Sequence, residues 1–251
     1  MVSRFLKFLN KDVTTMNQAA FVLAVFSVAS QLCGLVRDRL LASLVGPSAA
    51  LDTYYAAFRI PDFVYNSFGV LFSLTVLIPF ITQYMEEEKL TGKSHALKDF
   101  LNTVFTVFAV GMVVISLVLF VLMPLLTHLT APGFDEASRH TLVLYSRIML
   151  ISPFFFGLSS LLSSFAQVQK KFFSFAVAPL FYNIGILVGI LVFRQWWGML
   201  GVVMGVVMGA VLYFLVQVPT LVALGKIPRF TRAIDWQLIR RIMKLSIPRT
   251  L

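Results

Sequence analysis

Six stretches of this chain stay apolar for about twenty residues or more, at 17–45, 60–84, 100–126, 141–168, 173–193 and 199–224. A helix needs about 20 such residues to cross a hydrocarbon layer, whereas a membrane β-strand takes about 9–11. No water inside that layer satisfies backbone N–H and C=O groups, so spanning segments of this length must be helical. The expected fold class is an all-α integral membrane bundle of about six spans. Composition agrees: the chain is 59% hydrophobic with 25 Phe and has a mean hydropathy of +0.87, against about 45–50% apolar residues in soluble domains. A seventh apolar segment begins near Lys244 and runs to Leu251. The expected divisions are an N-terminal segment at 1–16, a six-helix lobe at 17–225, a basic linker helix at 226–244 and the start of a seventh helix at 245–251.

The net charge is +10, and its distribution carries the information. Arg4, Lys7 and Lys11 precede the first span; Lys89, Lys93 and Lys98 follow the second; Lys170 and Lys171 follow the fourth. Lys226, Arg229, Arg232, Arg240, Arg241 and Lys244 follow the sixth, whereas the alternate loops hold Arg139 and Arg194. Positive loops stay inside, so the expected topology is a multi-pass membrane protein with a cytoplasmic N-terminus. This alternation is a topology signal and not a nucleic-acid footprint. Ala233–Lys244 places Ile234, Leu238, Ile239, Ile242 and Met243 against Arg240, Arg241 and Lys244, the pattern either of a helix on the inner membrane surface or of a cytoplasmic connector.

Against this apolar background, Arg37-Asp38-Arg39 stands inside the first span. A charge at the centre of a membrane helix costs at least ~2.5–3.5 kcal/mol and persists where it is paired or faces a wet cavity. Successive helix residues diverge by about 100°, so Arg37 and Asp38 can share a cavity while Arg39 faces elsewhere or snorkels. The competing reading is a topological anchor at headgroup level. Arg59 and Asp62 are three apart and can pair on one helix face; Asp52 precedes Tyr54-Tyr55; Arg147 lies in the fourth span and Arg249 opens the seventh. Together these suggest a cationic chamber for something anionic. Gln31, Gln83, Gln167, Asn183 and Gln217 are polar groups within spans, whose common use is to hydrogen-bond between helices. Gly185 and Gly189, and Gly201, Gly205 and Gly209, are each four apart, the spacing of closely packed helices.

The chain carries no HExxH, GxSxG or P-loop, and its three His show no ligand spacing. Neither an enzyme, a metal site nor a cofactor is expected. The lone Cys33 excludes an intramolecular disulfide.

GLVRDRLLASLVGPSAALDTYYAAFRIPDF (34–63) resembles the first two helices of the MurJ/MviN lipid II flippases, of the MOP exporter superfamily. TAPGF (130–134), FFSFAVAPLFYNIG (172–185) and KIPRF (226–230) resemble later blocks of that family in order. The resemblance implies one six-helix lobe of a two-lobed exporter, a central cationic cavity, and a lipid-linked cargo bearing a diphosphate. It implies substrate-binding roles for Arg37 and Asp38, for Ser30 as a small polar cavity residue, for Asp52 opening the second helix and for Arg59 shortly after it. Arg147 and Arg249 join them as further cations of the chamber. The implied partners are the lipid-linked anionic substrate, membrane lipids, and a C-terminal lobe or a second copy, because about half of the family's helices are covered.

Three positions depart from the family pattern. Gln31 stands where an Arg is usual, Tyr65 lies near another usual Arg, and Val70 lies near a usual acidic residue. Gln and Tyr cannot supply the planar cationic fork that grips phosphate. Either the cargo differs, or Arg39, Arg59 or Arg147 compensates. The expected function is therefore a lipid II flippase lobe working by alternating access. The alternatives are a MOP-type transporter of another polyprenyl-linked glycan and a non-transporting scaffold in cell-wall synthesis.

Overall fold

The computed structural model describes residues 15–71, 74–91, 96–225 and 227–246. The expected 1–16 segment, apart from its last two residues, lies outside the described residues, as do Lys226, Arg249 and nearly all of the expected seventh helix. Thirteen α-helices and one π-helical turn make up the described elements.

Helix α1 (Met16–Val45) is 30 residues long, opened by Thr15 accepting from the Gln18 N–H and closed at Gly46, whose φ of 67° suits glycine. The second stretch, expected as one helix over 60–84, is divided among α2 (Ala49–Ala57), α3 (Arg59–Leu71) and α4 (Leu74–Thr91). It starts earlier than expected because Ser48 caps α2, its side chain accepting from the Leu51 N–H at 3.4 Å. Helix α5 (Ala96–Thr130) is 35 residues, about 52 Å at 1.5 Å per residue, longer than a bilayer core requires. The fourth span is α6 (Glu136–Met149) and α7 (Ile151–Val168). The fifth comprises α8 (Phe172–Ala176), α9 (Ala178–Val188), a π-turn at Gly189–Phe193 and α10 (Arg194–Trp197). The sixth comprises α11 (Met199–Leu215) and α12 (Val218–Ala223). Pro179 and Pro219 sit in the first turns of α9 and α12, where a missing N–H leaves no bond unmade. Five of the expected six spans are long and apolar enough, as described helices, to cross a membrane; the divided second is the exception.

The helices pack in sequence across the lobe. α1 lies on α8, α9 and α2; α9 on α11; α11 on α7; and α7 on α3, α4 and α5. The glycine spacing has its expected consequence. A Cβ at Gly185 would meet Gly209 Cα at 2.3 Å, and one at Gly205 would meet Gly189 Cα at 2.5 Å, so α9, the π-turn and α11 touch backbone to backbone. Gln217 hydrogen-bonds between helices, accepting from Ser163 Oγ at 2.8 Å. Among the described residues, three apolar clusters form the core. One joins Val64, Phe80, Phe100, Phe108 and Phe165; a second joins Leu41, Tyr54, Met149, Ile186 and Val203; a small third joins Val177, Ala178 and Val216.

Residues 227–235 form a strap along α5, with the Arg229 N–H donating to Asn102 Oδ1 at 2.7 Å and the Thr231 N–H to Thr106 Oγ1 at 3.0 Å. Asp235 then caps α13 (Trp236–Ser246), accepting from the Gln237 and Leu238 N–H groups at 3.0 Å. The expected amphipathic helix forms, but its apolar stripe does not face a membrane surface. Leu238, Ile239 and Ile242 are buried in the first core cluster against α3 and α4, and the Arg241 guanidinium lies over the Phe80 ring. Met243, counted with the apolar face, is exposed.

Candidate functional site

Ser30, Gly34 and Arg37 follow one another at four and three residues, which aligns them on one face of α1. That face meets α9 at Asn183. The Asn183 side-chain amide donates to Ser30 Oγ at 3.0 Å, to the Ser30 carbonyl at 3.1 Å and to the Pro179 carbonyl at 3.3 Å. Its oxygen accepts from Arg37 Nη1 at 3.1 Å. A Cβ at Gly34 would sit 3.8 Å from that oxygen, in ordinary van der Waals contact. Arg37 Nε donates to Asp38 Oδ1 at 2.8 Å, an ion pair whose side chains are 25% and 50% exposed. The guanidinium is thus held at two of its nitrogens while its other N–H groups remain available. The phenols of Tyr54 and Tyr182 lie within its electrostatic range.

This cluster unites three of the expected site residues, Ser30, Arg37 and Asp38. Asp52 lies exposed in the first turn of α2, where a carboxylate favours the helix dipole, and has no side-chain partner among the described residues. The expected Arg59–Asp62 pair is not made: Arg59 donates instead to the carbonyl of Thr130, at the C-terminus of α5, where a cation meets the negative helix end. Arg147 does not join Arg37. Ser146 faces α2, its hydroxyl donating to the Ala57 carbonyl at 3.4 Å, and the next residue turns toward α5. There Arg147 Nε donates to the Phe120 carbonyl at 2.9 Å and its guanidinium lies 4.5 Å from that ring's centre. Neither of the two positions at or near a usual Arg brings in a cation: Gln31 donates to Ser27 Oγ at 3.3 Å, and Tyr65 packs edge-on against Phe156. Asn183 was legible only as an interhelical polar group; the Ser30–Gly34–Arg37 spacing marks the face it meets, but not the helix that supplies it. Among the described residues no three metal-ligating side chains gather.

The family profile described as "Lipid II flippase MurJ" matches residues 41–251. The chain belongs to the lipid II flippase MurJ family. The profile match opens just after Arg37 and Asp38. A probable lipid II flippase MurJ of Rickettsia prowazekii is 28% identical over 184 residues, 72% of this chain and 35% of the relative. The lipid II flippase MurJ of Thermosipho africanus is 29% identical over 171 residues, 66% and 34% of the two chains. The family member from Burkholderia cenocepacia is 24% identical across 93% of this chain and 46% of its own. The chain thus spans about a third to a half of the curated relatives it matches. Among solved structures, a lipid II flippase MurJ in an inward closed conformation superposes with a TM-score of 0.76 at 21% identity, over 92% of this chain and 47% of that one. A MATE structure in complex with MaD3S superposes with 0.68 at 13% identity, over 98% and 55%. Both show the fold: an all-α membrane exporter lobe.

Proposed function

We propose that this chain forms the N-terminal lobe of a flippase that moves lipid-linked peptidoglycan precursor across the bacterial inner membrane by alternating access. The observation that carries the reading is Arg37, a guanidinium one-quarter exposed on a membrane helix, braced by Asp38 and Asn183 with donors to spare. Arginine offers a planar fork of donors that matches phosphate oxygens, and a diphosphate is the anionic part of the cargo implied by the family. Asp38 orients the fork and lowers the cost of keeping it charged within the membrane. Ser30 anchors Asn183, which sets the direction of Arg37. Asp52, Arg59 and Arg249 belong to the proposed cargo path as second-rank contributors, Arg59 only after releasing Thr130. The N-terminus and the basic loops face the cytoplasm, by the charge asymmetry of the loops. Flipping requires a cavity that opens alternately to each side and no covalent chemistry, so the lobe would work with a C-terminal lobe or a second copy.

Complementation of a bacterium depleted of its own lipid II flippase tests this reading. The chain is expressed alone and together with a matching C-terminal lobe. Rescue in either arm that is lost with Arg37→Ala, at equal membrane expression, supports it; full rescue by Arg37→Ala overturns the diphosphate role. Gln31 and Tyr65 favour one other reading, a MOP-type carrier of another polyprenyl-linked glycan. That reading predicts membrane expression without rescue in both arms.

A further inference from the structure

A groove of about 430 Å³ runs between α5 and the junction of α6 with α7, lined by no residue of α1 or α9. Val113, Leu117 and Phe120 of α5 form one wall, and Ile151, Phe154 and Phe155 of α7 the other. Two polar side chains line it, Arg147 and Ser116. Arg147 spends its Nε–H on the Phe120 carbonyl, and its other N–H groups have no partner among the described residues. The Ser116 hydroxyl is buried without a partner. A guanidinium among aliphatic and aromatic walls, with no carboxylate on it, is a cation awaiting an anion.

The groove carries a charged side chain at one end only. Phe120, beside Arg147, lies ten residues before Thr130, about 15 Å along α5, whereas Val113 lies about 10 Å deeper. Ser116 is about one turn deeper than Phe120. A lipid of the leaflet at the Thr130 end presents its charge and its chain in this order. A lipid of the other leaflet would present its tail to Arg147. We propose that this groove binds one anionic phospholipid of the leaflet at the Thr130 end, its phosphodiester on the Arg147 guanidinium and one acyl chain between α5 and α7. Charge complementarity and the direction of the groove carry the assignment. In the topology proposed above that leaflet is the outer one. The site needs only that the lobe lies in a membrane, so loss of the flippase reading would leave it standing.

The purified, delipidated chain is titrated with phosphatidylglycerol and followed by native mass spectrometry, with phosphatidylcholine and undecaprenyl phosphate as parallel arms. The expected result is one phosphatidylglycerol bound in preference to both, with affinity reduced about tenfold or more by Arg147→Gln, since hydrogen bonds to charged groups are the strong ones. Leu117→Trp should reduce it similarly by filling the groove. Leu117 is 61% exposed, so the larger ring does not disturb the core. If Arg147→Gln does not fold, by gel filtration and circular dichroism, Leu117→Trp alone decides. Undiminished binding in the folded variants overturns the proposal. So does an Arg147-dependent preference for undecaprenyl phosphate, which would make the groove part of the cargo path. If binding is lost with Arg37→Gln instead, the lipid sits on the Arg37 face and the groove assignment fails.

Discussion

Asn183 joins α1 to α9 through both ends of one amide, giving its N–H groups to Ser30 and its oxygen to Arg37. The residue is 8% exposed, so removing the amide leaves Ser30 without its donor and Arg37 with only its Asp38 brace. Asn183→Ala should therefore destabilise the lobe by about 1–3 kcal/mol, the usual cost of a buried polar group losing its partner. It should also lower rescue in the complementation assay while Arg37 itself remains. Unfolding in detergent reads the first effect, and normal rescue by Asn183→Ala would show that Arg37 needs no brace. Arg37→Lys should fail as well, because a point charge cannot hold Asp38, Asn183 and a phosphate together. The importance of Arg37 and Asp38 is legible in the sequence, because charge inside an apolar span has few explanations. The destination of Arg59 is not, since choosing between Asp62 three residues on and Thr130 on another helix requires knowing where α5 ends.

The four-residue glycine spacing belongs to the scale of elements and translates directly into packing. A Cβ at Gly189 would meet Gly205 Cα at 2.6 Å, against backbone that has no rotamer by which to move aside. Gly189→Ala and Gly205→Ala should each cost about 1–3 kcal/mol as overpacking, read by thermal unfolding. Gly111, in the interior of α5 with nothing within 4 Å of its added Cβ, provides the contrast. Gly111→Ala should leave stability unchanged or raise it by up to about 1 kcal/mol through helix propensity; a loss equal to that of Gly205→Ala would refute the close-approach account. The helical period of 234–244 was also readable, but what its apolar stripe meets was not. Leu238, Ile239 and Ile242 would suit a membrane surface as well as they suit α3 and α4. Ile242→Ala should cost about 2–5 kcal/mol if the buried packing holds, and near-zero cost would return α13 to the membrane surface.

Across the whole molecule, α1 is the least covered of the long helices: Phe21 is 70% exposed, Leu35 66% and Leu32 57%. It is buried at Ala19, Ser30 and Leu41, and the remainder is free for lipid, for water or for a second lobe. Cys33, the chain's only cysteine, lies part-buried one turn before Arg37 and reports which of these it meets. A charged, water-soluble thiol reagent should label Cys33 in the membrane-embedded chain, and a co-expressed C-terminal lobe should slow that labelling. Resistance in the chain alone, with full labelling after denaturation, would mean that this face meets lipid and not a wet cavity. The sequence by itself determined that the chain is helical and crosses a membrane, where charge interrupts it and which of its helices approach closely. These follow from local quantities: apolar length, the charge of each residue and the spacing of glycines. Only the tertiary structure decided that Asn183 braces Arg37, that Arg147 packs on Phe120 away from Arg37, and that α13 closes on the lobe. Each of these depends on which helices become neighbours, and residues 146 or more positions apart, such as Arg37 and Asn183, are joined by packing that no local pattern encodes.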